Sequence, residues 1–298
     1  MKIDNAQLAA FAMVIREGSF EAAARKLHVT PSAISQRIKQ LEERLGQVLI
    51  QRASPCVPTG AGTLLVRYTE ELALLEAEML GALGSAEEGG GAALRMPIAV
   101  NADSLDSWFL PVFDAMPTEP AVVFDLRVED QDHSATLLRE GTVMAAVSAS
   151  AAAIQGCSVE PLGTMRYLAV TSPAFVARHF TGGVDGASLT RAPMLRFNLK
   201  DGLQDLFIAL FTDEALQPPT HYVPSVHGFV GLARQGLGWG MVPEHFALPA
   251  ISTGELVEIA PGRHLDVPLY WHRWRLGSLA LDALTTAVRA VAHERLRP

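Results

Sequence analysis

The stretch GSFEAAARKLHVTPSAISQRIKQLEERLGQVLIQR, residues 18–52, decides the fold at this end of the chain. Just before it, Leu8, Phe11, Val14 and Ile15 recur at helical spacing, and Gly18 stands where a helix best ends in the left-handed conformation. Ser19 offers its hydroxyl to the unpaired N–H groups of a second helix, reaching about residue 27, whose Ala22, Ala23 and Ala24 permit a close helix crossing. Thr30 and Pro31 open a third helix as N-cap and first residue, because proline lacks an N–H that would go unused there, and Gly46 closes it. Residues 48–52 then read as a short strand and 55–58 as its return, which together make a wing. A winged helix-turn-helix over residues 1–58 is the expectation.

On the third helix Ile34, Ile38, Leu41 and Leu45 form one face, while Ser32, Ser35, Gln36 and Lys39 form the other. An isolated helix of this kind is read as a packed face backed by a solvated one. Beside a proline-opened start and a wing, the polar face acquires a second use. It carries short hydroxyls, an amide able to pair with an adenine edge, and a lysine for guanine or phosphate. Thr30, Pro31, Ser32, Ser35, Gln36, Arg37, Lys39 and Arg52 are therefore the candidate DNA contacts, with Arg37 and Arg52 directed at phosphates. Charge agrees with this division. Residues 1–58 carry eight Lys/Arg against five Asp/Glu, a net +3 in a chain whose total is −8, so the remainder holds −11. A small basic head on an acidic body suits double-stranded DNA bound at one end only.

From residue 59 to 88 a long helix is expected, in which Ala61, Leu65, Tyr68, Leu72, Leu75, Met79 and Ala82 alternate at spacings of four and three. That is a coiled-coil stripe of about three heptads. It points to dimerisation through Leu65, Tyr68, Leu72, Leu75 and Met79, the alternative being packing against the chain's own body. The sequence GSAEEGGGA at 84–92 reads as a flexible linker that separates this helix from the C-terminal body.

Residues 89–298 change character. Strands at 96–101, 122–128 and 143–148 alternate with helices at 106–115 and 134–140, as expected of an α/β unit with a parallel sheet. A second set comes after it, with strands at 167–171, 194–197, 221–226 and 239–242 and helices at 173–180, 202–211 and 228–235. The chain then returns through a strand in PLYWHRW and a helix at 279–296. Lobe I would comprise 93–164 and 268–298, and lobe II 165–267. A cleft between such lobes, at the carboxyl ends of strands, is where ligands bind. Asn101, Asp103 and Ser104 end the first strand, and either cap the next helix or hold a ligand. Glu129, Asp130 and Asp132 end the second, and are either a solvated loop or a partner for an ammonium or guanidinium group. Lobe II would add Phe197 to Asp201 and the turn holding His227, with Trp239 and Trp271 assigned to packing.

Other chemistries find little support. Cys56 and Cys157 have neither CxxC spacing nor a disulfide framework. The histidines lack metal-ligand spacing, and neither a nucleotide fingerprint nor a nucleophile elbow is present, so no metal, cofactor or enzyme activity is expected. No apolar run of membrane-spanning length occurs, which points to a cytoplasmic protein without membrane contact.

The residue 18–52 stretch, followed by PTGAG at 58–62, resembles the DNA-binding end of the LysR-type transcriptional regulators. Further segments, VNADSLDSWFLPVF, RVEDQDHSATLLREG, PLGTMRYLAV, ARQGLGWGMVPE and LYWHRWRL, resemble the ArgP/LysG-like branch of that family. The resemblance implies an α plus α/β architecture: a winged helix-turn-helix, a dimerising linker helix and a two-lobed effector domain like type 2 periplasmic binding proteins. It implies a homodimer or homotetramer on promoter DNA, working with RNA polymerase and controlling export of basic amino acids in response to lysine or arginine. Asn101, Asp103, Ser104, Glu129, Asp130, Phe197 and His227 would contact that effector. His227 stands in a turn where the branch implies an acidic residue, which leaves room for a different small metabolite or for pH-dependent binding. The reading from a different class is a solute-binding module whose DNA contact is incidental.

Overall fold

The computed structural model describes residues 3–83, 94–118, 121–128 and 134–298. The linker at 84–92 and the acidic residues Glu129, Asp130 and Asp132 lie outside them. The head is built from α1 (Asn5–Glu17), α2 (Phe20–Lys26), α3 (Pro31–Leu45) and a two-stranded wing of β1 (Ile50–Gln51) and β2 (Val57–Pro58). Its capping arises from the residues: Ser19 and Thr30 hydroxyls accept from the N–H groups of Ala22 and Ala33, and Gly18 and Gly46 end their helices at φ 69° and 66°. Phe11, Val14, Ile34, Ile38 and Leu41 make the buried centre of the head.

The long helix α4 (Gly60–Ala82) starts inside the head and not beyond it. Thr59 caps it, accepting from Gly62 N–H at 3.0 Å while donating to the Val48 carbonyl at 2.6 Å. Leu65 and Val66 are buried in the head's core, and Leu72 packs at its edge. Leu74, a residue off the expected stripe, is buried in the core of the effector domain. The helix is therefore not held apart from the body as the composition of its C-terminal linker led us to expect. It lies against it, because a second face spaced at Arg67, Glu71, Leu74 and Glu78 meets lobe I.

The effector domain runs β3 (Leu94–Val100), α5 (Ala102–Ser104), a π-helical turn at Leu105–Phe109, α6 (Pro111–Asp114), β4 (Val122–Val128), α7 (Ser134–Arg139) and β5 (Ala145–Ser148). After β6 (Cys157–Thr171) come α8 (Pro173–His179), α9 (Gly186–Arg191), β7 (Met194–Arg196), α10 (Leu203–Ile208), β8 (Thr220–Tyr222), α11 (Val226–Arg234), β9 (Gly240–Pro243), α12 (Glu244–Ser252) and β10 (Val257–Glu258). It ends with β11 (His264–Trp274) and α13 (Leu279–Arg295).

A parallel sheet is present only in part. β3 pairs in parallel with β4 and β5, but β11 runs antiparallel to β5 and β6, and β9 antiparallel to β6. The reason lies in β6 and β11. They are 15 and 11 residues long and pair along their whole overlap, from His264 opposite Leu168 to Trp274 opposite Cys157, so that one sheet serves both lobes. The register shifts between Leu269 and Tyr270, where Gly163 takes φ 131°. A bulge there bends and twists the ribbon as it passes from one lobe to the other. Trp239, Trp271 and Trp274 are fully buried, and the Trp271 indole donates to Thr285 on α13 at 3.2 Å, which seats the returning helix on lobe I. Among the described residues no helix is long and apolar enough to cross a membrane.

Gly62 marks a close approach between head and linker helix, since a Cβ there would sit 2.0 Å from the Leu49 carbonyl oxygen. Backbone cannot yield as a flexible side chain does. Gly62→Ala should therefore destabilise the head by about 2–3 kcal/mol, whereas Gly60→Ala, with nothing within 4 Å, should be near neutral. Denaturant unfolding followed by circular dichroism compares the two.

Candidate DNA-reading head and effector cleft

The head presents the outer face of α3. Thr30, Pro31, Ser32, Gln36 and Lys39 are exposed, and Ser35 and Arg37 half-buried. Thr30 Oγ1 lies 2.9 Å from Ser32 Oγ, so the two hydroxyls at the helix start are already oriented. Arg52 reaches back from the wing, its guanidinium 5.1 Å above the Phe20 ring, which holds a flexible cation beside the start of α2. The opposite face, Ile34, Ile38 and Leu41, is buried. One helix thus offers a rigid polar surface whose backing is core, as a helix lying in a major groove requires.

Between the lobes lies a cavity of about 560 Å³. Lobe I contributes Asn101, Asp103 and Val128. Lobe II contributes Phe197, Lys200, Asp201, Leu203, Leu206 and Phe229 among others. Its walls are mostly apolar with a few convergent charges, the usual make-up of a small-molecule site. Asp103 caps no helix and lies half-buried in the cavity wall. Its carboxylate accepts a hydrogen bond from the Tyr167 hydroxyl at 2.8 Å, and Tyr167 is a fully buried residue of the crossing strand β6. Burial, with the neighbouring charges of Asp201 and Asp106, raises the Asp103 carboxyl from 3.8 to about 6, against the lowering effect of the tyrosine. The same burial and the Asp103 charge push the Tyr167 hydroxyl well above its ordinary range.

Asp201 is fixed by its own loop, accepting from the N–H groups of Phe197 at 2.9 Å and Leu203 at 3.1 Å. Two carboxylates from opposite lobes therefore face one cavity, each held in place by other contacts. Asn101 Oδ1 and Ser104 Oγ are buried without a hydrogen-bond partner among the described residues. Asn101 lines the cavity; Ser104 is fully buried and not part of its lining. Neither side chain caps the helical segment that begins there. That segment widens at once into the π-helical turn, the Ser107 hydroxyl bonding the Asp103 carbonyl, and the wider turn buries Trp108 and Phe109.

Of the residues expected at the site, Asn101, Asp103 and Phe197 come together. His227 does not line the cavity. It is exposed, with Nδ1 3.8 Å from Asp106 of lobe I, and borders a separate hollow of about 130 Å³ with Arg234 and Phe246. Tyr167 was not anticipated, since its contact with Asp103 spans 64 positions of sequence and its setting in a strand looks like ordinary core. Asp201 was named only as the end of a segment, and its charge became meaningful once the lobes were placed opposite each other.

A winged head, a linker helix and a two-lobed ligand cleft together define a ligand-responsive DNA-binding regulator. Residues 6–63 match the bacterial regulatory helix-turn-helix protein, lysR family, and residues 90–293 match the LysR substrate binding domain. The chain belongs to the LysR family of bacterial transcriptional regulators. It is 50% identical over 294 residues to the HTH-type transcriptional regulator LysG of Mycobacterium tuberculosis, covering 98% of this chain and 94% of that one. It is 41% identical to the lysine export transcriptional regulatory protein LysG of Corynebacterium glutamicum, over 98% and 99% of the two chains. Among solved structures, ArgP from Mycobacterium tuberculosis superposes with a TM-score of 0.89 at 48% identity, covering 99% of each chain. Full-length LysG from Corynebacterium glutamicum with bound effector Arg superposes at 0.80 and 39% identity, over 99% and 100%.

The raised Asp103 carboxyl has a consequence for stability. Between pH 3.8 and about 6 the unfolded chain has released a proton that the native chain still holds. Native stability therefore falls as pH rises through that window and levels off above it. Asp103→Asn keeps an acceptor for Tyr167 but cannot ionise. Its melting temperature should match the unsubstituted protein below about pH 4 and exceed it at pH 7, by an effect on the order of 2 kcal/mol. Thermal melts across pH, without ligand, read this directly.

Proposed function

We propose that this regulator controls export of basic amino acids and that its cleft takes lysine or arginine. The observation that carries the reading is the meeting of Asp103 and Asp201 across the cavity. Two carboxylates whose charges disfavour each other are relieved by one cation between them, so a cationic ligand favours the lobes drawn together. Apolar walls at Phe197, Leu203, Leu206 and Phe229 suit the aliphatic stem of such a ligand. Lys200 supplies a positive charge for its carboxylate, and Asn101 an unpaired buried oxygen for an ammonium or guanidinium N–H. Support also comes from the relatives named for lysine export and the one solved with arginine.

On the DNA side, Gln36 and Ser35 read bases while Thr30, Ser32, Arg37, Lys39 and Arg52 set register on phosphates. The exposed apolar residues Tyr68, Leu75 and Met79 on α4 pair with a second copy, as a dimer or as paired dimers. The assembly works in the cytoplasm on promoter DNA together with RNA polymerase.

Calorimetry with arginine and with lysine tests the cleft. Binding is expected for at least one of them, weakening about tenfold per pH unit below 6 as Asp103 takes up its proton and levelling off above. Asp103→Asn should cost about 2 kcal/mol or more of affinity at pH 7. No heat from either amino acid, or heat only from an uncharged metabolite, would overturn the assignment. For the head, duplexes selected from random sequence by the full-length protein define the preferred site. Gln36→Ala should lose about 1–3 kcal/mol of discrimination at a single position, while Lys39→Ala should weaken all duplexes alike and flatten the salt dependence.

A further inference from the structure

β6 carries one hydroxyl on a face that is otherwise apolar. Met165, Tyr167 and Ala169 belong to the effector-domain core, and Val267 and Leu265, which stand opposite Met165 and Tyr167 on β11, pack against the same core. A phenylalanine ring would serve that packing as well as the tyrosine. Burying the hydroxyl is costly unless it finds a hydrogen-bond partner. Its partner is the Asp103 carboxylate, 2.8 Å away at the end of a different strand.

The bond engages one side of that carboxylate. Asp103 Oδ2 accepts from Tyr167, while Oδ1 accepts no hydrogen bond among the described residues, and Asp103 lines the cavity. The charges close to it are of its own sign: Asp106 one turn on, and Asp201 from the loop opposite, both of which disfavour its ionisation. Lys200 lines the same cavity, and His227 meets Asp106 from outside it. The Tyr167 hydroxyl acts against burial and the two like charges, because it donates to the charged form of the acid.

We propose that Tyr167 is a positioning residue of the effector site, whose hydroxyl holds Asp103 by one oxygen as a carboxylate and leaves the other for the cationic group of the bound amino acid. Tyr167 does not line the cavity and acts only through Asp103. The effector half of this inference rests on the cleft being the arginine or lysine site. The action of the hydroxyl on the Asp103 carboxyl does not.

The test is Tyr167→Phe in the full chain, which removes the hydroxyl and keeps the ring. Without ligand, thermal melts across pH locate the point at which native stability stops falling as pH rises. That point is expected at about pH 6 in the original protein. In Tyr167→Phe it should lie about one pH unit higher, since the carboxyl then titrates beside two like charges without its donor. Replacing Tyr167 by 3-fluorotyrosine, a stronger donor of nearly the same shape, should move the point down, and decides the matter if Tyr167→Phe does not fold. A point that stays where it was overturns the proposal.

Calorimetry with arginine and with lysine then reads the effector half. The pH at which binding begins to weaken should rise in Tyr167→Phe by the same amount as in the melts. At about pH 8.5, where Asp103 is ionised in both proteins, the Kd should still be about tenfold weaker, from the loss of aim. A loss of affinity equal at every pH is what a packing defect gives, and overturns the proposal. In an Asp103→Asn background Tyr167→Phe should change the Kd less than about twofold, and a tenfold loss there overturns it too. No heat from either amino acid in the original protein removes the effector reading, and the action of Tyr167 on Asp103 then stands or falls on the ligand-free melts.

Discussion

The antiparallel pairing of β6 and β11 is the constraint on which the effector domain depends. Because these strands belong to neither lobe alone, their ladder fixes where lobe II sits on lobe I, and the bulge opposite Leu269 and Tyr270 sets the bend between them. The cavity is a consequence of that bend. So is the meeting of Asp103, which ends a lobe I strand, with Tyr167, which lies on the crossing strand itself. An isolated lobe could form a strand–helix unit, but it could not form this site.

The same ribbon joins the neighbourhood of the cleft to the linker helix. Its lobe I ends are contacted by Arg67 of the linker helix, its lobe II half carries the sheet positions of β9 and β10, and Tyr167 on β6 reaches Asp103 in the cavity wall. Under the proposed function, repulsion between the Asp103 and Asp201 carboxylates and its relief by a bound cation would give two states that differ in free energy, which a ligand must have if it is to bias anything. His227 and Asp106 form a further contact between the lobes, one that screening keeps weak.

Much of the head was legible in the sequence, and for local reasons. Ser19, Thr30, Pro31, Gly18 and Gly46 act on backbone groups within four residues, so their positions alone place three helices. The apolar period of residues 61–82 likewise predicted a helix, and correctly. It misled about surroundings, because Leu65 and Leu72 are taken up by the head's own core and a second face, invisible as a pattern because it mixes Arg67, Glu71, Leu74 and Glu78, docks on lobe I. In the effector domain the first half of β6 lies outside the strand expected at 167–171; proline and glycine ordinarily interrupt a strand, and here Pro161 and Gly163 flank the bulge inside one that continues past it. The short helices α9 and α12 also went unread; the parallel pairing expected of the first α/β unit is present in β3, β4 and β5, while the crossing strands add antiparallel pairs beside it.

What the sequence determined by itself is the class of molecule: a basic three-helix head, a long apolar-striped helix and an acidic α/β body, each governed by caps, periods and composition that act over a few residues. Only the tertiary structure decided which polar groups matter. Asp103 is a cleft carboxylate and not a helix cap because Tyr167, 64 positions away, claims it. Arg67 is an anchor and not a solvated arginine because two glycines, 74 and 89 positions further on, leave it room. Such roles depend on distances between residues far apart in the chain, which no local rule fixes and which the pairing of two long strands does.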